Sequence, residues 1–83
     1  MKTTILGIKI TKRVEKSSKV QDLLTKFGCS IRTRLGLHEV SEDYCSEEGL
    51  IILELVGDEG EMLKLEEELK RIPGVEVRKM VFD

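Results

Sequence analysis

Twice along these 83 residues the spacing of apolar side chains switches from strand-like to helical and back, an order that leaves few folds open. Over residues 3–11 the pattern alternates. Leu6, Ile8 and Ile10 fall on one side, and Ile5, Gly7 and Lys9 on the other. Successive side chains of an extended chain point to opposite faces, so this is a strand with one fully apolar side. Residues 14–27 change to helical spacing, with Val20, Leu23, Leu24 and Phe27 at i, i+3, i+4 and i+7. Gly28 suits the left-handed position that closes a helix. A second alternating run follows over 31–38, with Ile31, Thr33, Leu35 and Leu37 on one face and Arg32, Arg34, Gly36 and His38 on the other.

Residues 39–49 are polar and acidic and read as a long loop. Residues 50–56 are a nearly continuous apolar run of strand length, the pattern of a central strand covered on both faces. Asp58, with Glu61 three residues on, reads as the N-cap of a second helix. That helix buries Met62, Leu65, Leu69 and Ile72, and the pairs Glu66–Lys70 and Glu67–Arg71 stand four apart in the favourable order. Pro73 and Gly74 stop it, because proline cannot donate into the helix and glycine accepts the turn. A last strand spans 75–82, with Val75, Val77 and Val81 on one face and Met80 and Phe82 on the other.

The element order is βαββαβ, the split βαβ pattern. It predicts one α+β, ferredoxin-like domain over residues 1–83: a four-stranded antiparallel sheet with two helices on one face. The second face must be wet or covered. Ile5, Met80, Phe82 and part of the 50–56 run fall there, more apolar than a solvated face, and such patches mark association sites. The expectation is a homo-oligomer, a dimer or a tetramer; the other reading folds the acidic loop over the sheet. A domain this small buries only about 60–65% of the surface its unfolded chain exposes, so a second copy also widens a thin stability margin.

Arg32, Arg34, Gly36 and His38 are expected on that same open face, with Lys9 near them. Two arginines two residues apart put both guanidiniums on one surface, and Gly36 leaves room for a ligand or another backbone. The group reads as a ligand or partner face, either for a small anion, since guanidinium pairs carboxylates bidentately, or for the glutamates of a neighbouring copy.

Little else carries chemistry. A single histidine builds neither a catalytic triad nor a multi-histidine metal site, and there is no Gly-rich phosphate loop and no CxxC. The expectation is therefore a protein that is not an enzyme and needs no cofactor. The alternative is a small metal-binding protein using His38 and Cys45, with Cys29 as a third soft donor. Fourteen basic against sixteen acidic residues argue against direct nucleic-acid binding. An RNA-binding module would also want aromatics on its central strands, and only Phe27, Tyr44 and Phe82 are present.

Lys9, Lys12 and Arg13 interrupt the N-terminal apolar run before a signal-peptide core can form, and no stretch approaches the roughly 20 apolar residues of a membrane span. A cytoplasmic protein with Cys29 and Cys45 as reduced thiols is expected. Abundant Glu and Lys, with no Asn and only Gln21 as an amide, is the composition trend of proteins from hot environments.

Three features together carry a family resemblance: Arg34-Leu35-Gly36-Leu37, the apolar third strand, and Leu69-Lys70-Arg71-Ile72-Pro73-Gly74-Val75-Glu76-Val77. The chain resembles the small proteins described as iron-only hydrogenase system regulators. Their fold is similar to the C-terminal domain of nickel-responsive repressors and to ACT domains. The resemblance implies an oligomeric regulatory domain that controls a hydrogenase system, acting with a regulatory protein partner because no DNA-binding segment is attached. The repressors' metal site of several histidines and a cysteine finds only His38 and Cys45 to match it.

Overall fold

The computed structural model describes the backbone of residues 2–11, 13–40 and 45–83, and side chains within those stretches except at 13–17, 37–40 and 45–48. The elements run β1 (Thr3–Ile10), α1 (Arg13–Lys26), a short 3-10 turn (Gly28–Ser30), β2 (Ile31–Val40), β3 (Cys45–Leu55), α2 (Glu59–Lys70) and β4 (Val75–Phe82). All three strand pairings are antiparallel, in the order β2-β3-β1-β4. This is the expected ferredoxin-like βαββαβ sheet with two helices packed on one face.

Core formation follows from the two periodicities. Leu6 and Ile8 from β1, Leu53 from β3, Val20 from α1 and Leu65 and Leu69 from α2 are wholly buried in one cluster. Burying each such side chain contributes about 1.5–3 kcal/mol. The helix ends follow local chemistry. The Asp58 carboxylate accepts from the Gly60 N–H at 3.1 Å, satisfying one of the free amides at the start of α2. Gly74 has a φ of 83°, the left-handed region that lets the chain reverse into β4. Its carbonyl accepts from both the Thr11 amide (2.9 Å) and the Thr11 hydroxyl (3.0 Å), tying the end of β1 to the start of β4. Gly28 departs from expectation: it opens the 3-10 turn after α1 instead of closing the helix left-handed.

Two further departures matter more. The stretch 39–49, expected as a loop, is mostly sheet. β2 continues to Val40 and β3 begins at Cys45, with Val40 opposite Cys45. Pairing across a hairpin supplies the backbone hydrogen bonds that low intrinsic strand preference does not predict.

The second departure is a register shift near the start of β2. Ile31 pairs with Leu55 and Thr33 with the very next partner, Glu54, so Arg32 is an extra residue on the β2 side. One extra residue at a β-bulge moves everything after it to the opposite face. Directly opposed residues share a face, so Arg34, opposite Leu53, lies on the side of the helices, as do the positions of Gly36, opposite Ile51, and His38, opposite Gly49. The open-face placement expected for Arg34, Gly36 and His38 is thereby corrected. Leu35, opposite Ile52, takes the open face instead.

Candidate functional site

The open face of the sheet is built in rows across the four strands. One row runs Thr33, Glu54, Ile5, Met80, and the next Leu35, Ile52, Gly7, Arg78; Lys9 and Glu76 stand beyond them. Its apolar members are strongly exposed: Leu35 at 51%, Met80 at 56% and Phe82 at 55%. Leu50 is also exposed, and Ile5, Ile52 and Val56 are half-buried. Thr33 donates its hydroxyl to Glu54 Oε1 at 3.0 Å across the β2–β3 pair. Arg78 Nη2 lies 3.6 Å from Glu76 Oε2 along β4. Leucine, methionine and phenylalanine half in water on one flat surface form a patch of the kind that marks an association site.

The residues singled out in sequence separate. Arg32 sits at the bulge and is exposed. Arg34 turns toward α1 and donates from Nη2 to the Gln21 side-chain carbonyl oxygen. A Cβ added at Gly36 would meet nothing, so this part of the edge strand has room beside it. The side chains of His38 and Cys45 lie outside the described residues. Among the described residues, no group of three or more His, Cys, Asp or Glu is placed to hold a metal. Cys29 is an exposed free thiol in the turn after α1. No described helix is long and apolar enough to cross a membrane.

A second feature went unread in the sequence. Between α2 and the β1–β4 side of the sheet lies a cleft of about 160 Å³, on the face opposite the apolar patch. Its floor carries Glu66, 9% exposed. Glu66 Oε2 accepts from Lys70 Nζ at 2.9 Å, and Oε1 lies 3.0 Å from Lys79 Nζ. Burial pushes the Glu66 carboxyl up, but hydrogen bonds and charge from Lys70 and Lys79 outweigh it and hold the pKa below the ordinary value. One partial signal was present: Lys79 interrupts the row Val75, Val77, Val81 on the helix side of β4, which marks a charge beside α2 without naming its partner.

No family model matches the chain, and no curated protein does. Solved structures do. The uncharacterized protein TM1266 from Thermotoga maritima is 28% identical, with a TM-score of 0.83 and a match covering 100% of both chains. CPII from Thiomonas intermedia K12, a nitrogen regulatory PII-like protein bound to ADP, AMP and bicarbonate, is 16% identical, with a TM-score of 0.60 over 100% of this chain and 97% of that one. A formyltetrahydrofolate deformylase from Pseudomonas putida KT2440 is 14% identical, with a TM-score of 0.59, but 94% of this chain matches only 28% of it. The fold shared with these proteins is the ferredoxin-like βαββαβ sandwich.

Proposed function

We propose that this chain is a non-catalytic regulatory module that senses a ligand and assembles with further copies of itself through the open face of its sheet. The observation that carries the reading is the exposure of Leu35, Met80 and Phe82 on the face turned away from both helices. The occupant that fits is a second copy. Among the described residues paired across the sheet, the face holds two basic residues, Lys9 and Arg78, and two acidic ones, Glu54 and Glu76, a balance that lets the same surface pair with itself about a two-fold axis. Four strands ~4.8 Å apart and ~25 Å long give roughly 500 Å² per copy, or about 1,000 Å² per pair, the lower bound of a specific interface.

Sensing is supported by the fold shared with CPII, whose structure holds ADP, AMP and bicarbonate. The exposed edge of β2, with Arg32, Arg34, Gly36 and the position of His38, is then the face offered to a regulatory protein partner or a small anion. On the resemblance carried by residues 34–37 and 69–77, the setting is control of a hydrogenase system. The competing reading, metal binding, is favoured by one observation: His38 and Cys45 both fall in the hairpin that joins β2 to β3.

Light scattering over a micromolar to millimolar series, with and without a chelator, tests the proposal. A dimer or tetramer indifferent to chelator is expected. A monomer throughout overturns self-association, and an assembly that falls apart on chelation transfers the case to His38 and Cys45.

A further inference from the structure

The cleft beside α2 has apolar walls and charged groups side by side. Its walls are formed by Leu55, Met62, Leu63 and Val81, and Leu63 and Val81 are each 50% exposed. Its charged members are Lys79 and Glu66 at the floor and Lys2 and Glu59 at the rim. Packing alone does not account for its apolar walls, since half-exposed leucine and valine gain little from burial.

The charges differ in what they have left to offer. Both Glu66 oxygens already face an ammonium, Lys70 at 2.9 Å and Lys79 at 3.0 Å. An ammonium carries three donors, so Lys79 keeps donors beyond the one it directs at Glu66. Lys2 lies 3.8 Å from Glu59, a loose and exposed pair of the kind that contributes little and is readily exchanged. Glu66 is therefore engaged at both oxygens while Lys79 retains donors, and the loose Lys2–Glu59 pair can open to present Lys2. A ligand here gains by bringing negative charge to Lys79 and Lys2 and apolar surface to Leu63 and Val81. The volume, about 160 Å³, is close to the roughly 150 Å³ cavity that admits a benzene ring, which sets the ligand at six to eight non-hydrogen atoms.

We infer that this cleft binds a short-chain aliphatic carboxylate, with its carboxylate against Lys79 and Lys2 and its tail between Leu63 and Val81. The inference adds a ligand site separate from the β2 edge to the sensing module of the proposed function, and it rests on that sensing role. It does not involve the open face, because Thr4, Leu55, Lys79 and Val81 all lie on the helix side of the sheet.

The test is an amide NMR titration of the full chain with 3-methylbutanoate at low salt, with 3-methylbutanamide as the uncharged control. Saturable shifts around Thr4, Leu55, Leu63 and Val81 are expected, with a dissociation constant on the order of 1 mM for so small a ligand. Binding should weaken at least fivefold in Lys2→Met, and Leu63→Trp, which fills the mouth of the cleft from an exposed position, should abolish it in a chain with an unchanged spectrum elsewhere. Equal binding of the amide, shifts scattered over surface lysines, or no saturation each overturns the inference. The mass of the unliganded protein is read on the same samples, so a failure to bind is distinguishable from a failure to assemble.

Discussion

Glu66 joins two elements through one carboxylate, taking Lys70 from its own helix and Lys79 from β4. Its folded pKa lies below 4.5, so the pair stabilises the fold at pH above 4.5, and that contribution is lost as pH falls through the lower folded value. Glu66→Gln is expected to lower stability at neutral pH by about 1.5–3 kcal/mol and to flatten the acid limb of the midpoint-against-pH curve. Thermal melts of both proteins across the acid range measure it, and parallel curves would contradict the assignment. In the core, Leu53 is wholly buried among both helices and β1. Leu53→Ala should cost about 2–5 kcal/mol in urea unfolding, much of the margin of so small a domain. Leu53 was legible as part of the nearly continuous apolar run 50–56, which did not show that only Ile51, Leu53 and Leu55 face the core. The partnership of Glu66 with Lys79 was not legible, because it joins positions thirteen apart in sequence whose approach depends on how α2 lies across β4.

At the scale of elements, the bulge in β2 decides which surface is which. Strand alternation read forward from Ile31 put Arg32 and Arg34 on the open face; the extra residue, Arg32 itself, exchanged Arg34 with Leu35. Nothing in Ile31-Arg32-Thr33-Arg34 announces a bulge, since each residue is acceptable in a strand and the shift is fixed by pairing with β3. Deleting Arg32 would join Ile31 to Thr33 while each keeps its present partner, Leu55 and Glu54. The variant is therefore expected to fold, with NMR contacts between Leu35 and Ile52 intact and stability changed by no more than about 1 kcal/mol. Contacts between Leu35 and Leu53 would show that the register had slipped. The helices were easier to read: α1 and α2 carry wide apolar stripes, and Asp58 and Gly74 mark boundaries through side-chain and backbone chemistry that acts locally. The hairpin extension of β2 and β3 was hidden because its acidic residues look like solvent-facing loop until a partner strand lies beside them.

Seen whole, the molecule is longer than its shorter strands require. An eight-residue strand such as β1 spans ~26 Å, whereas the longest dimension is 44 Å, because ten-residue β2 and eleven-residue β3 run past β1 and β4. The two edges of the sheet differ, β2 carrying the arginines and β4 bordering the cleft, while the apolar face between them is offered to a second copy. The most direct test compares two neighbours on opposite faces, where the bulge decides which of them takes the open one. Sedimentation velocity is run on the parent chain, on Leu35→Glu and on Arg34→Glu, each checked for unchanged circular dichroism. A charge forced into an apolar contact should weaken assembly at least a hundredfold, on the order of 3 kcal/mol, so Leu35→Glu is expected to be a monomer while Arg34→Glu assembles like the parent. Dissociation by Arg34→Glu with Leu35→Glu unaffected, or a parent chain that is monomeric at every concentration, would contradict the account.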